Sequence, residues 1–326
     1  MFEKVVEIIR EHSKFLITTH INPDGDGLGS EVALAAMLKK IGKEAFIINE
    51  SPIPENYLFL SKYGDIKVFS KEYINIIRKA DVIFVVDISN WERVGEFGSL
   101  IMRESKALKI CVDHHPSNSG FADLNIIDER ASSTGELIYD LGESLEIPLN
   151  EDIATGIYVA IMTDTGSFRF PSTTSRVHMI VSRLLEKGIR PEKIYREIHE
   201  RRSPSRMKVL GRALSNLNIE CEGKVAWFYV TKEMLEEFNL NTEETDGFVN
   251  MLGDIREVIV SIFFLERNGK EVKVSLRSKD DYDVNKIANR LNGGGHVRAA
   301  GILMEASLKE AIEKVLGEVK KYLTKE

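Results

Sequence analysis

From residue 2 to about 165 the chain alternates short apolar runs with longer stretches of helical periodicity. "KFLITTH" (14–20) reads as a strand and "GSEVALAAMLKKIG" (29–42) as the following helix, stopped by Gly42. "EAFIIN" (44–49) is a second strand. "ADVIFVVD" (80–87) is a continuous β-branched run closed by an aspartate; "ALKICVD" (107–113) and the shorter "DLNIID" (123–128) repeat that design. Continuous apolar strands alternating with helices predict a parallel sheet buried on both faces. Ligands of such sheets bind beyond the carboxyl ends of the strands. His20, Asp87 and Asp113 stand at three such ends, so the pattern alone gathers them on one rim.

The texture changes after residue 165. The segment 172–218 is mostly helical, broken at Gly188–Pro191 and at Ser203–Pro204, and reads as a connector. From about 220 a new α+β pattern begins. "KVAWFYV", "EVIVSIFFLER" and "EVKVSLRS" are strands, "RNGK" (267–270) is a hairpin turn, and "DVNKIANRLN" and "SLKEAIEKVLGEVKKYL" are helices. The expected division is 1–188, 189–218 and 219–326. The fold class is α/β, with a parallel-sheet domain first and a smaller α+β domain last.

Composition narrows the function. A net charge of −7 over 326 residues disfavours tight binding of long duplex nucleic acid, which needs many phosphate contacts. The basic run "HERRSPSRMK" (199–208) reads as a solvated helical face rather than a groove. The two cysteines, Cys111 and Cys221, lie far apart in apolar, strand-like runs and read as buried thiols without a disulfide framework. The N-terminal "MFEKVVEIIREHSK" is an amphipathic helix without the apolar core of a signal peptide, and no apolar run reaches membrane-spanning length. A cytoplasmic protein with no membrane partner is expected.

The chemistry concentrates in four places. "TTHINPDGDGLGS" (18–30) holds His20, Asp24 and Asp26 among glycines 25, 27 and 29, which read as allowing a sharp turn and close approach to a ligand. It lacks the spacing of a dinucleotide fingerprint. A strand-end carboxylate often only caps the next helix, and Asp24 or Asp26 alone reads equally well that way. The others shift the balance: Asp87 in "VVDIS", the Asp113-His114-His115 run, and Asp164 in "IMTDTGSFRF". Asp164 closes an apolar helical run, where an acid has the wrong sign for the helix dipole. Carboxylates and imidazoles without thiolates suit Mn²⁺ or Mg²⁺, with Zn²⁺, Fe²⁺ or Co²⁺ as alternatives; the imidazoles tilt the choice to Mn²⁺. The set exceeds the needs of one ion. Two ions bridged by a carboxylate would use it for phosphoryl displacement by an activated water.

These motifs, in this order, resemble the DHH phosphoesterases, whose signature is Asp113-His114-His115. "NGGGHVRAAG" (292–301) resembles the glycine motif of the DHH-associated C-terminal domain, and the length resembles the nanoRNase/pAp phosphatase branch. The resemblance implies His20 and Asp24 on one metal, Asp26, His114 and Asp164 on a second, and Asp87 as the bridge. It implies His115 at the scissile phosphate and Asp113 orienting a histidine. It places the active site in a cleft between the domains. The glycines Gly293, Gly294 and Gly295 would form an anion nest with His296 and Arg298, joined by Arg277 and Ser278. The expected activity is hydrolysis of short oligonucleotides or linear dinucleotides to mononucleotides. The alternatives are a 3′-phosphomonoesterase on pAp, a cyclic-dinucleotide phosphodiesterase and a nucleotide sensor without turnover. Base preference stays open, as does the choice between monomer and homodimer.

Overall fold

The computed structural model describes residues 1–279 and 282–323. The chain divides into two units, Met1–Arg201 and Arg202–Glu326.

The first unit runs α1 (Glu3–Glu11), β1 (Lys14–Thr18), α2 (Gly25–Lys40), β2 (Glu44–Asn49), β3 (Ile66–Val68), α3 (Ile74–Lys79), β4 (Val82–Val86), α4 (Gly95–Glu104), β5 (Leu108–Asp113), β6 (Leu124–Ile127), α5 (Thr134–Ser144), α6 (Glu151–Asp164), α7 (Ser175–Leu185) and α8 (Pro191–His199). Its six strands form a parallel sheet in the order β3-β2-β1-β4-β5-β6. Successive side chains of a strand point to opposite faces. Phe15, Ile17, Phe84 and Val86 therefore enter a core with α1, α2 and α5–α8, while Leu16, Ile83 and Val85 enter one with α3 and α4. With both faces of the central strands covered, the positions of β4 are all buried, and the continuous apolar runs follow.

Helix α2 starts at Gly25, four residues before the reading of the sequence placed it, because Asp24 caps it: one carboxylate oxygen accepts from Asp26 N (3.0 Å) and Gly27 N (3.2 Å). The capping reading thus holds for Asp24. The glycines also do different work from that expected. They are helical, and the left-handed residue of the turn is Asn22 (φ 54°). A β-carbon at Gly27 would lie 2.5 Å from Thr19 Oγ1; one at Gly25 would overlap Thr163 and one at Gly29 the carbonyl of Gly156. They let α2 press against the end of β1 and against α6, not a ligand.

The second unit runs α9 (Pro204–Leu214), β7 (Asn218–Glu220), β8 (Val225–Val230), α10 (Lys232–Glu237), β9 (Val260–Glu266), β10 (Glu271–Ser278), α11 (Val284–Arg290), β11 (Gly294–His296), β12 (Ala299–Glu305) and α12 (Leu308–Leu323). Its sheet has the order β11-β12-β10-β9-β8-β7, antiparallel except for the parallel β8–β9 pair. Val274, Leu276 and Ile262 pack under α11 and α12, and Phe228 and Phe263 pack against α9. The helical stretch 189–218 is shared out, α8 to the first unit and α9 to the second. Within its basic run Arg206 is buried, not solvated: its guanidinium donates to the Asp246 carbonyl (2.6 Å) and lies 4.5 Å from the Phe248 ring centroid. Cys111 is buried on β5, but Cys221 sits half-buried in the β7–β8 turn with φ 50°, so only Cys111 is a buried strand thiol; both are free. No helix among the described residues is long and apolar enough to cross a membrane.

Candidate metal centre

Strand order puts the site where it is. β1 and β4 are neighbours at the centre of the sheet, yet β1 is followed by connections to one side and β4 to the other. At such a switch point the loops diverge and open a crevice beyond the strand ends. His20 lies two residues past β1 and Asp87 one residue past β4. Asp113 ends β5, with His114 and His115 directly after it, while Asp24 and Asp26 come from the start of α2 and Asp164 from the end of α6.

These groups are held in place by bonds of their own. Asp87 is buried with φ 60°, a left-handed conformation that costs a non-glycine residue energy and clusters at functional sites. Asp26 is fully buried at the N-terminus of α5: Thr134 N donates to Oδ2 (2.7 Å) and Gly135 N to Oδ1 (2.9 Å). Thr134 Oγ1 donates to Asp87 Oδ1 (3.1 Å). Free N–H groups and the helix dipole both favour an anion there. Sequence reasoning missed Thr134 and Gly135. The available signal was "SSTGE", a helix start in which Ser133 accepts from Glu136 N.

His20 and His114 both turn Nε2 toward carboxylates. His20 Nδ1–H donates to the Ile21 carbonyl (2.9 Å) and His114 Nδ1–H to the Ala131 carbonyl (3.3 Å), because a carbonyl can only accept. Each Nε2 then faces carboxylates. His20 Nε2 lies 3.9 Å from Asp24 Oδ1 and 3.7 Å from Asp87 Oδ2. His114 Nε2 lies 3.2 Å from Asp164 Oδ2, 3.5 Å from Asp26 Oδ2 and 3.8 Å from Asp87 Oδ1. Ligand bonds of about 2.1 Å at octahedral angles put neighbouring ligand atoms roughly 3 Å apart. Most of these separations are too long for good hydrogen bonds but close to the edge of a coordination shell. His20–Asp24–Asp87 and Asp26–His114–Asp164 each converge tightly enough to hold an ion, and so do Asp87, His114 and His115.

The electrostatics agree. Burial, with repulsion from Asp87, Asp164 and Asp24, pushes the Asp26 carboxyl well above the usual range. Burial lifts Asp164 to about 6, against the pull of His114. Burial would lower His20, but Asp24 and Asp87 outweigh it and raise the imidazole to about 10. Acids crowded in this way repel one another, and divalent cations relieve that repulsion. Oxygen and imidazole donors suit hard or borderline ions; the residues present fit the metal centre expected.

His115 is held differently. Its Nδ1 bonds Asp113 Oδ1 at 2.7 Å, and Asn118 Nδ2 donates to the other oxygen at 2.7 Å. The bond to Asp113 raises the His115 pKa, while Asp113, although buried, is held low by His115. Below the site, buried Glu31 accepts from Asn49 Nδ2 (2.9 Å), and Asn49 Oδ1 accepts from Thr19 N (3.2 Å). Thr19 Oγ1 reaches the Val86 carbonyl (2.8 Å), tying the ends of β1 and β4 together. Neither Glu31 nor Asn49 was singled out from sequence, because their polar contacts are long-range.

The seven residues expected to bind substrate gather at one end of the second sheet. Arg277 pairs with Ala299 across β10–β12 and His296 with Ala299 across β11–β12. Ser278 N donates to the Arg298 carbonyl (3.1 Å) and its hydroxyl to the Tyr282 carbonyl (2.5 Å). The glycines do not form an open nest throughout. Gly293 N–H is spent on the Ala288 carbonyl (2.8 Å), and β-carbons at Gly293 and Gly295 would overlap the carbonyls of Gly301 and Ala299. Close strand approach demands these two glycines; Gly294 has no such neighbour, the nearest atom being 3.9 Å from its β-carbon position.

The profile of the DHH family, N-terminal domain, matches residues 14–161, and that of the DHHA1 domain matches residues 207–325. The chain is 31% identical to the bifunctional oligoribonuclease and PAP phosphatase NrnA of Thermus thermophilus, covering 98% of this chain and 94% of the relative. It is 28% identical to the protein of the same name from Bacillus subtilis, covering 92% of each. A crystal structure of an exopolyphosphatase-related protein from Bacteroides fragilis superposes with a TM-score of 0.93 at 30% identity, covering 100% of this chain and 97% of the other.

Proposed function

Because the chain belongs to the DHH family and carries a DHHA1 domain, we propose that it is a two-metal phosphodiesterase of the cytoplasm. It hydrolyses short oligonucleotides or linear dinucleotides to mononucleotides. The observation that carries this reading is the pair of ligand groups, His20–Asp24–Asp87 and Asp26–His114–Asp164, sharing a rim through the central Asp87. Two divalent ions held there, Mn²⁺ before Mg²⁺ or Co²⁺, would activate a water and offset the charge of the phosphoryl group during in-line displacement.

The chain's own residues do the rest. Asp113 fixes His115 through Nδ1, leaving Nε2 as the proton-bearing atom for the substrate. The bond to Asp113 raises the His115 pKa and so favours the protonated ring. As the water oxygen bonds phosphorus and the ester P–O bond breaks, His115 donates a hydrogen bond to the charge that develops, and the leaving oxygen takes up the proton. Arg277, Ser278, Gly293–Gly295, His296 and Arg298 would bind a terminal phosphate. A 3′-phosphomonoesterase activity on pAp is the second reading, favoured because the named relatives are bifunctional. The test is an assay of the Mn²⁺-loaded protein on a linear dinucleotide, pAp, pyrophosphate and a cyclic dinucleotide. Turnover of the dinucleotide, with or without pAp, is expected. Turnover of pyrophosphate alone, or tight binding of all four without turnover, overturns the reading.

A further inference from the structure

The segment after Asp164 has an unusual conformation. Helix α6 ends in a Schellman motif, with Gly166 N donating to the Thr163 carbonyl (3.0 Å) and Ser167 N to the Met162 carbonyl (2.7 Å). The left-handed conformation does not stop at the glycine. Gly166, Ser167 and Phe168 have φ of 57°, 60° and 65° in succession. One left-handed residue closes a helix; two further non-glycine residues there are strained, and such strain persists where surrounding structure imposes it. The loop is closely knit: Arg169 N and Phe170 N both donate to the Thr165 carbonyl (2.9 and 3.0 Å), and Arg169 Nε to the Gly166 carbonyl (2.8 Å).

The result is to fold Phe170 back over Gly166. A β-carbon at Gly166 would fall 2.5 Å from Cζ of Phe170 and 2.7 Å from both Cε1 and Cε2. An edge-on approach to Cζ would leave the two Cε atoms much farther away. These near-equal distances mean that the glycine meets the face of the ring. The opposite face is left outward, and Phe170 is 51% exposed, the one phenylalanine so placed among the described residues. A flat aromatic face backed by Gly166, itself two residues after the candidate metal ligand Asp164, in a loop whose Arg169 guanidinium bonds the Gly166 carbonyl, suits a base joined to a phosphate.

We propose that Phe170 is a stacking platform for one nucleobase of the substrate. This deepens the nucleotide-phosphodiesterase reading and rests on it. Every base presents a π-face, so such a platform tolerates sequence while rejecting phosphodiesters that have no base. Gly166 is required twice over, for its positive φ and because any side chain would displace the ring.

The test uses the full-length Mn²⁺-loaded protein, a 5′-phosphorylated dinucleotide, and two analogues in which one or the other base is absent. Phe170→Ala is expected to raise KM for the intact dinucleotide about tenfold, the scale of one lost stack. kcat and bound metal should change little. Phe170→Trp should restore KM and Phe170→Leu should not. On one of the two abasic analogues the wild type and Phe170→Ala should behave alike. An unchanged KM in Phe170→Ala overturns the inference, as does full rescue by leucine or an equal loss on both abasic analogues. If the wild type cleaves none of the dinucleotides, the underlying reading falls as well; an unaffected alanine variant leaves that reading standing.

Discussion

Asp87 lies between the two ligand groups, 3.7 Å from His20 Nε2 and 3.8 Å from His114 Nε2, and its left-handed backbone commits the fold to its position. Asp87→Ala is expected to abolish most activity and to release at least one ion. Two ions retained with near-normal turnover would refute its bridging role. The adjacent histidines should separate cleanly. His114 Nε2 faces three carboxylates, whereas His115 is bonded to Asp113. His115→Ala should therefore lower kcat by roughly 10²–10³, the scale of one lost transition-state donor, with metal content kept. His114→Ala should lose metal. Equal metal loss in both variants, measured by elemental analysis, would defeat that division of roles.

Among elements, the contact between α2 and α6 sets where Asp26 and Asp164 meet. Gly29 faces the Gly156 carbonyl and lies with its β-carbon position 2.9 Å from Ala160 N, so the helices pack backbone to backbone. Gly29→Ala should force them apart and destabilise the fold by about 1–3 kcal/mol, the usual cost of overpacking. Gly211 in α9 offers the contrast, since nothing lies within 4 Å of its β-carbon position. Gly211→Ala should be neutral or stabilise by up to ~1 kcal/mol. Thermal melts that rank the two variants the other way would contradict the packing argument.

For the whole molecule, the carboxylate cluster couples metal, protons and stability. Asp164 near 6 and His20 near 10 must both lose a proton before ligating, so metal affinity should climb as pH rises through 6 and beyond. Without metal the sign reverses. A pKa raised in the folded state contributes stability at low pH that is lost as pH rises through the folded value. Asp164 loses its contribution between the ordinary carboxylate range and about 6, and His20 between the ordinary imidazole value and about 10. The gap between melting temperatures with and without Mn²⁺ should therefore widen from pH 5.5 to pH 8. A constant gap would argue against these residues as the ligands. The second domain should impose a length preference. A 5′-phosphorylated dinucleotide should be cut faster than its unphosphorylated form, and a strand of about twenty nucleotides poorly, because charge-assisted bonds to a terminal phosphate contribute about 1.5–3 kcal/mol. Arg277→Ala should narrow that difference; efficient degradation of the long strand would exclude an end-anchoring role.

Much of this was legible along the chain because its causes are local. A strand buried on both faces must be apolar throughout, so β1, β4 and β5 announce themselves, and so do the polar residues that end them. His20, Asp87, Asp113, His114 and Asp164 were visible as chemistry in places where packing does not call for it. Tertiary structure decided what depends on distant neighbours. Glycines 25, 27 and 29 read as a ligand loop until Thr19, Thr163 and Gly156 are seen pressed against them. The three-residue strands β3, β7 and β11 are too short for periodicity to register, and β12 is interrupted by Gly301. Thr134, Asn49 and Glu31 serve the site through bonds spanning 18 to 108 residues. The orientation of His20 and His114 rests on single carbonyls, and the outward face of Phe170 on a left-handed turn. No residue type encodes these contacts, since each exists only once separate parts of the chain have been packed side by side.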